Sequence, residues 1–200
     1  MSAEAIYQVT MALKARLKAA LVASGDSTGT VFVGPLDDPD ATNHPLVLFL
    51  YRLAPSPTLR NSEHRVPTPP PASKMTVFQR SLALDLYYLV TVGSLASTAG
   101  LGEEPLLKAL GYAMRELQVD PELVGTDGSG LWQLFNEPVH VSLESLSIDE
   151  LSRIWALFPT ANYRTSVAYV ATPVWVDPAD ADPLSAPVVS DRLLAGQSVQ

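Results

Sequence analysis

The chain has 200 residues, of which 47% are hydrophobic and 17% are charged, with a net charge of −8 and no cysteine. This length predicts one domain with an ample apolar core. The acidity disfavours general nucleic-acid binding, and the lack of cysteine excludes disulfides, a thiolate nucleophile and cysteine-based zinc sites. We expect no signal peptide, because no basic segment precedes an apolar one at the N-terminus, and we expect no transmembrane helix.

The first half of the chain predicts one helix and two strands. Apolar residues recur every three or four positions over residues 2–23, which is typical of an amphipathic helix, and Gly25 is placed to end it. A short strand follows over residues 30–33. A loop with three aspartates at residues 36–45 then leads to a buried strand over residues 46–53.

Residues 55–78 interrupt this pattern. The segment holds six prolines, and proline fixes φ and removes a backbone donor, which favours an extended arm projecting between two paired strands. A loop of this length inside a domain is often functional. Its polar side chains are therefore candidates for contact with a partner, the alternative being that they only keep the loop soluble. These candidates are Arg60, Asn61, His64, Arg65 and Lys74.

The most informative segment is residues 81–93, which is apolar on both alternating faces. A strand of this kind needs cover on both sides, so we expect it at the centre of a sheet. Asp85 interrupts one face, and a buried carboxylate needs a partner. Arg52, on the strand expected alongside, is the candidate partner in a structural ion pair. A catalytic acid is the alternative role for Asp85.

The second half predicts two more helices and two more strands. A helix over residues 103–119 is followed by a strand over residues 139–143. A capping box at residues 147–150 begins a short helix. The last long strand covers residues 163–176, and Pro173 within it predicts either a bulge or an edge position.

These elements predict an α/β (α+β) fold, with a mixed sheet of about four to five strands flanked by about three helices. We expect one domain over residues 1–177 that carries the extended arm at residues 55–78. Residues 178–200 are rich in aspartate, proline, alanine and serine. This composition predicts a tail that is flexible or ordered only against a partner.

The sequence contains no motif that is typical of a catalytic, cofactor or metal site. The three histidines are isolated, without the spacing of a zinc site, and neither a nucleophile elbow nor a phosphate-binding loop is present. The aspartates of residues 37–40 lack the spacing of a calcium loop. We therefore predict no enzyme activity, no cofactor and no metal. A small hydrolase that uses Asp85 is the alternative from another functional class.

Four segments share their order and spacing with one known family. They are Leu48-Phe-Leu-Tyr-Arg52 with Leu59-Arg-Asn61, Leu82-Ala-Leu-Asp-Leu-Tyr-Tyr-Leu-Val-Thr91, Glu104-Pro-Leu-Leu-Lys-Ala109, and Glu150-Leu-Ser-Arg-Ile-Trp-Ala-Leu-Phe158 leading to Tyr163-Arg-Thr-Ser-Val-Ala-Tyr169. The chain resembles the tail-cap, or tail-terminator, family of extracellular contractile injection systems, of the Photorhabdus virulence cassette and antifeeding-prophage type. The resemblance extends over residues 4–177, without the arm and the tail.

The resemblance implies a hexameric ring on the end of an inner tube and sheath, where it stops polymerisation and fixes particle length. It implies other copies, sheath subunits and tube subunits as partners, and neither nucleic acid nor membrane insertion. It implies cytoplasmic assembly, followed by a place in a particle that is released. The alternative is an adaptor at the baseplate or the tube–sheath junction. Ring contacts of this kind bury apolar surface and use extended arms to add strands to a neighbour.

Overall fold

The computed structural model of this chain describes residues 4–67, 75–78, 80–94, 102–123 and 138–178. Its helices are α1 (Ala5–Ser24), α2 (Glu104–Val119) and α3 (Ile148–Trp155). Its strands are β1 (Val31–Val33), β2 (Leu46–Pro55), β3 (His64–Pro67), β4 (Met75–Phe78), β5 (Leu82–Val92), β6 (Glu122–Leu123), β7 (Val139–Glu144) and β8 (Ser166–Val176). None of the described helices is both long and apolar enough to cross a membrane.

Within the described residues, six strands form one mixed sheet in the order β1-β2-β5-β8-β7-β6. β1 runs parallel to β2, and every other neighbouring pair is antiparallel. β3 and β4 form a separate antiparallel pair. The predicted α+β class is confirmed, but the predicted four to five strands are too few. β6 has two residues, and β3 and β4 have four each, so these strands are too short to show a sequence period.

β5 is an inner strand that is covered on both faces, as predicted. Leu86 and Tyr88 lie in the large apolar cluster that packs on α1 and α2. Leu89 lies in a smaller cluster on the opposite face, with Trp155 of α3. The Tyr88 hydroxyl is 2.8 Å from the Thr10 hydroxyl, and burial raises the pKa of Tyr88 above its usual value. The centre of the sheet is thus shielded by helices on either side.

The ends of two helices confirm local sequence signals. α1 ends at Gly25, which adopts the left-handed conformation with φ of 100° that glycine accommodates without strain. α3 begins with the predicted capping box, in which Ser147 and Glu150 bond each other's backbone amides. Hydrogen bonds from the Ser147 amide and hydroxyl hold the pKa of Glu150 below its usual value.

β8 contains the bulge that Pro173 predicts. In the ladder between β5 and β8, Leu84 faces Val174 whereas Leu86 faces Ala171, so the register shifts by one residue beside Pro173. β8 has β5 on one side and β7 on the other. The bulge alternative is therefore confirmed, and the ladder between β7 and β8 ends at Thr172, just before Pro173. An inner strand tolerates proline at such a position because the ladder is already interrupted there.

Candidate interaction surface

The aspartate loop before β2 is a structural turn. Oδ1 of Asp38 accepts a hydrogen bond from the Asp40 amide at 2.9 Å and caps a short 3₁₀ helix, Pro39–Ala41. The described residues contain no cluster of histidine and acidic side chains that could hold a metal ion. The loop lines an open cavity of about 190 Å³, together with Arg164. The carboxylate of Asp38 therefore serves the geometry of the backbone.

Asp85 lies buried in β5, where 8% of the residue is exposed. Its Oδ1 accepts a hydrogen bond of 2.5 Å from the hydroxyl of Thr172 on the neighbouring strand β8. A buried carboxylate needs such a donor. This hydrogen bond joins β5 to β8 next to the bulge at Pro173. The role of Asp85 that the structure shows is thus to stabilise the sheet.

Arg52 makes a different contact from the one predicted. A bulge in β2 shifts the register after Leu50, so that Arg52 faces Tyr87 and Ala54 faces Asp85. The guanidinium carbon of Arg52 lies 4.8 Å from the centre of the Tyr87 ring, a cation–π geometry. The predicted pair of Arg52 and Asp85 is not among the ion pairs of the described residues. Arg52 therefore lies over the aromatic ring of its partner in the ladder.

The β3–β4 pair packs against the end of β8 through stacked rings. The imidazole of His64 stacks on the indole of Trp175, with ring centres 4.5 Å apart and planes 6° apart. The ring of Phe78 lies 5.9 Å from the same imidazole, at 27°. These contacts fasten the strands of the arm segment to the last strand of the main sheet.

A buried polar cluster lies at the same junction, that is, where the β3–β4 pair meets the end of β8. Nδ1 of His64 and the hydroxyl of Ser81 each lie 2.7 Å from Oδ1 of Asp177, and Asp177 is 6% exposed. Burial by itself would raise the pKa of Asp177, but the hydrogen bonds from His64 and Ser81 hold it below its usual value. Asp177 is therefore ionised at neutral pH and orients both donors.

The five candidate contact residues of the arm fall into three groups. Arg60, Asn61 and Arg65 are exposed, and Arg65 donates a hydrogen bond of 3.0 Å to Glu63. His64 is 3% exposed and faces its own domain. Lys74 lies outside the described residues. Arg60 and Asn61 line an open cavity of about 330 Å³ that Arg80 also lines. Contact of these exposed residues with a partner stays a prediction.

In the described residues, one segment of β2 and one segment of β7 have no neighbouring strand on their outer side. β1 pairs with β2 only at Leu46–Leu48, so no described strand lies beside residues 49–55 of β2. β6 pairs with β7 only at Val139 and His140, and Pro121 receives the Val141 amide. In the described part of the chain, residues 142–144 of β7 therefore have no strand on their outer side.

The comparison with known families decides where the chain belongs. The family model of the Pvc16 N-terminal domain matches residues 8–190. The chain belongs to the Pvc16 N-terminal domain family. The matched span includes the arm at residues 55–78 and residues beyond Asp177, so it reaches further than the resemblance seen in the sequence. No curated protein matches the chain.

Two solved structures share the fold. One is the PVC sheath/tube terminator of an extracellular contractile injection system in the extended state, with a TM-score of 0.59 and 18% identity over 97% of this chain and 64% of that chain. The other is the anti-feeding prophage cap, a tube terminating cap, with a TM-score of 0.60 and 16% identity over 96% of this chain and 60% of that chain. This chain thus spans less than two thirds of either. The resemblance to the terminator family is confirmed.

No sequence pattern marks Trp175 and Asp177 as partners of the arm. His64 and Asp177 are 113 positions apart, and neither belongs to a motif. The available signal is an aromatic residue at the end of the last strand with an acidic residue just after it, which is common in proteins. The junction becomes visible only when the fold brings the two segments together.

Proposed function

We propose that this chain is a structural cap, or terminator, of a contractile injection particle. Copies of it would form a ring on the end of the inner tube and sheath, stop polymerisation and fix the particle length. One observation supports this role. This chain, which belongs to the Pvc16 N-terminal domain family, shares its fold with two solved terminator caps along nearly its whole length.

A non-enzymatic role agrees with how the buried ionisable groups are used. Asp85 bonds a threonine on the next strand, and Asp177 bonds His64 and Ser81 at the junction of the arm. Each of these carboxylates holds two segments of the fold together. Their geometry supports a protein whose work is assembly.

The proposed partners are other copies of the chain, in a homohexamer, and the sheath and tube subunits. We assign contact with these partners to the arm at residues 55–78 and to residues 178–200. Arg60 and Arg65 are exposed cations in an acidic chain, so an acidic surface is the partner chemistry that suits them. The chain would assemble inside the producing cell and then remain part of the particle.

The position of the protein in the particle tests this proposal against the adaptor alternative. An epitope tag on the chain, labelled with gold-conjugated antibody on purified particles, is expected to mark one end, opposite the baseplate. Label at the baseplate would support an adaptor. Label spread along the sheath, or particles without any, would contradict the terminator role.

A further inference from the structure

Among the described residues, the outer side of β2 after Leu48 is an uncovered edge with apolar and basic side chains. Residues 49–55 have no strand beside them in the described part of the chain. Leu53 is 49% exposed, and Arg52 is also exposed. An uncovered edge presents unpaired backbone donors and acceptors, which favour pairing with another strand. β2 therefore offers an acceptor site for a strand.

In the part of the chain that the structure describes, the outer side of β7 after Val141 is an uncovered edge with apolar and acidic side chains. Residues 142–144 have no described strand beside them. Leu143 is 55% exposed, although Val141, two residues earlier on the same face, is buried in the core. Glu144 is half-buried at the end of the strand. β7 therefore offers a second unpaired edge, with one exposed leucine and one carboxylate near its end.

The directions of the two edges suit each other. β2 is antiparallel to β5, β5 to β8, and β8 to β7, so β2 and β7 run in opposite directions in one sheet. When β7 of one copy lies beside β2 of another in a continuous sheet, the two strands are antiparallel. The new pair would extend the pattern that the sheet already has.

The side chains point to matching faces. Leu53 faces Leu86 in the ladder, and Leu86 and Val141 both belong to the cluster on the α1 and α2 side. Leu53 and Leu143 therefore project on that same side. Arg52 and Glu144, each one position away, project on the opposite side.

One register satisfies both pairs at once. When Leu53 lies opposite Leu143 in an antiparallel ladder, Arg52 lies opposite Glu144 and Ala54 lies opposite Ser142. This register joins leucine to leucine on one face and a cation to an anion on the other, and both kinds of cross-strand pair are stabilising. A slip by one residue would place every side chain on the wrong face.

The short edge strands do not obstruct this register. The residues of β7 that β6 covers, Val139 and His140, fall beyond the end of β2 at Pro55. The residues of β2 that β1 covers, Leu46–Leu48, fall beyond the end of β7 at Glu144. β1 and β6 therefore lie beyond the two ends of the new strand pair and do not overlap with it.

We propose that β7 of one copy adds to the edge of β2 in the next copy, with Arg52 paired with Glu144 and Leu53 with Leu143. The contact joins two different surfaces of identical chains, and head-to-tail contacts of this kind generate rings when the rotation between successive copies closes. The proposal deepens the proposed function and rests on it in one respect, namely that copies of the chain associate.

Disulfide trapping tests the register directly, because the natural chain has no cysteine. One preparation of the full chain carries Leu53→Cys, and a second, with a tag that changes its mobility, carries Leu143→Cys. Facing Cβ atoms in an antiparallel pair lie about 4.5–5.5 Å apart, close to the spacing a disulfide requires. We expect mixing under mild oxidation to give a linked dimer of the two chains on a non-reducing gel.

The matched control mixes Leu53→Cys with Ser142→Cys. Both cysteines lie on the same two edges, but on opposite faces in the proposed register, so we expect about tenfold less linked dimer. Trapping accumulates even a weak contact, because the disulfide persists once formed. Equal yields from both mixtures, or no linked dimer from either, would overturn the proposed pairing.

Charge reversal supplies a second readout in the same cysteine background. We expect Arg52→Glu in one chain, or Glu144→Arg in the other, to reduce trapping about tenfold, since each places like charges opposite one another. Mixing the two reversed chains is expected to restore the yield. Particles that keep their normal length when their only copy of the chain carries Arg52→Glu would overturn the pairing and leave the terminator role in place.

Discussion

The two faces of β5 pack against different kinds of side chain. The face toward α1 and α2 is a continuous apolar cluster that includes Leu86. The opposite face has a smaller cluster around Leu89, and beside it lie the buried carboxylate of Asp85 and the cluster of His64 and Asp177. The difference indicates that one face supplies stability, while the other fixes the position of the arm through directional bonds.

The largest expected effect comes from the apolar face. We expect Leu86→Ala to lower the free energy of unfolding by about 2–5 kcal/mol, because Leu86 is fully buried and the cavity left behind is surrounded by two long helices. Leu89→Ala on the opposite face should fall at the lower end of that range, since the eight-residue α3 is free to shift and fill the space. Urea denaturation of both variants measures the difference.

Leu82→Ala is the matched control on the same strand. Leu82 is 46% exposed, so its truncation should change the free energy of unfolding by less than about 0.5 kcal/mol. A loss at Leu89 as large as at Leu86 would remove the contrast between the faces.

A smaller effect is expected at the junction of the arm. Asp177→Asn replaces a buried carboxylate that accepts bonds from His64 and Ser81, and we expect a loss of about 1–3 kcal/mol at pH 7. Serial urea titrations of the natural chain and the variant between pH 7 and pH 3 measure it.

The pH dependence of that loss follows from the lowered pKa of Asp177. A carboxylate whose folded pKa is lowered contributes stability that is fully present above its ordinary value of 3.8. The contribution disappears as pH falls through the folded value. The gap between the natural chain and Asp177→Asn should therefore stay constant down to about pH 4 and then close. A gap that does not narrow at all below about pH 4 would show that ionisation of Asp177 does not hold the junction.

The smallest effect concerns Arg52 and Asp85. Because each side chain has its own partner, the effects of Arg52→Ala and Asp85→Asn should add to within about 0.5 kcal/mol. A double-mutant cycle read by thermal unfolding measures the coupling. Coupling above about 1 kcal/mol would mean that the two side chains form the ion pair after all. Coupling of Asp85→Asn with Thr172→Val is the positive control.

Much of the fold is predictable from local pattern. The apolar period of residues 2–23, the two-faced apolar run at residues 81–93 and the capping box before α3 each have a cause that acts within one element. The structure confirms all three. Pro173 likewise marked a real bulge, because a proline disturbs a ladder wherever the strand lies.

The contacts between elements were less predictable. The ion pair expected between Arg52 and Asp85 is not among the ion pairs of the described residues. Arg52 lies over the ring of Tyr87, and Asp85 bonds a threonine on β8 instead. The fold also buries His64 against Trp175, a contact that the sequence did not predict. Both outcomes depend on which distant segments meet, and no local propensity records this.

The measurement that tests the central claim most directly is the length of particles made without this protein. Negative-stain microscopy compares particles from producing cells that lack the gene with particles from the same cells carrying it again. The terminator role predicts tubes and sheaths of uncontrolled length, or none assembled, without the gene and a uniform length once it is restored. Particles of normal, uniform length without the gene would contradict the terminator role.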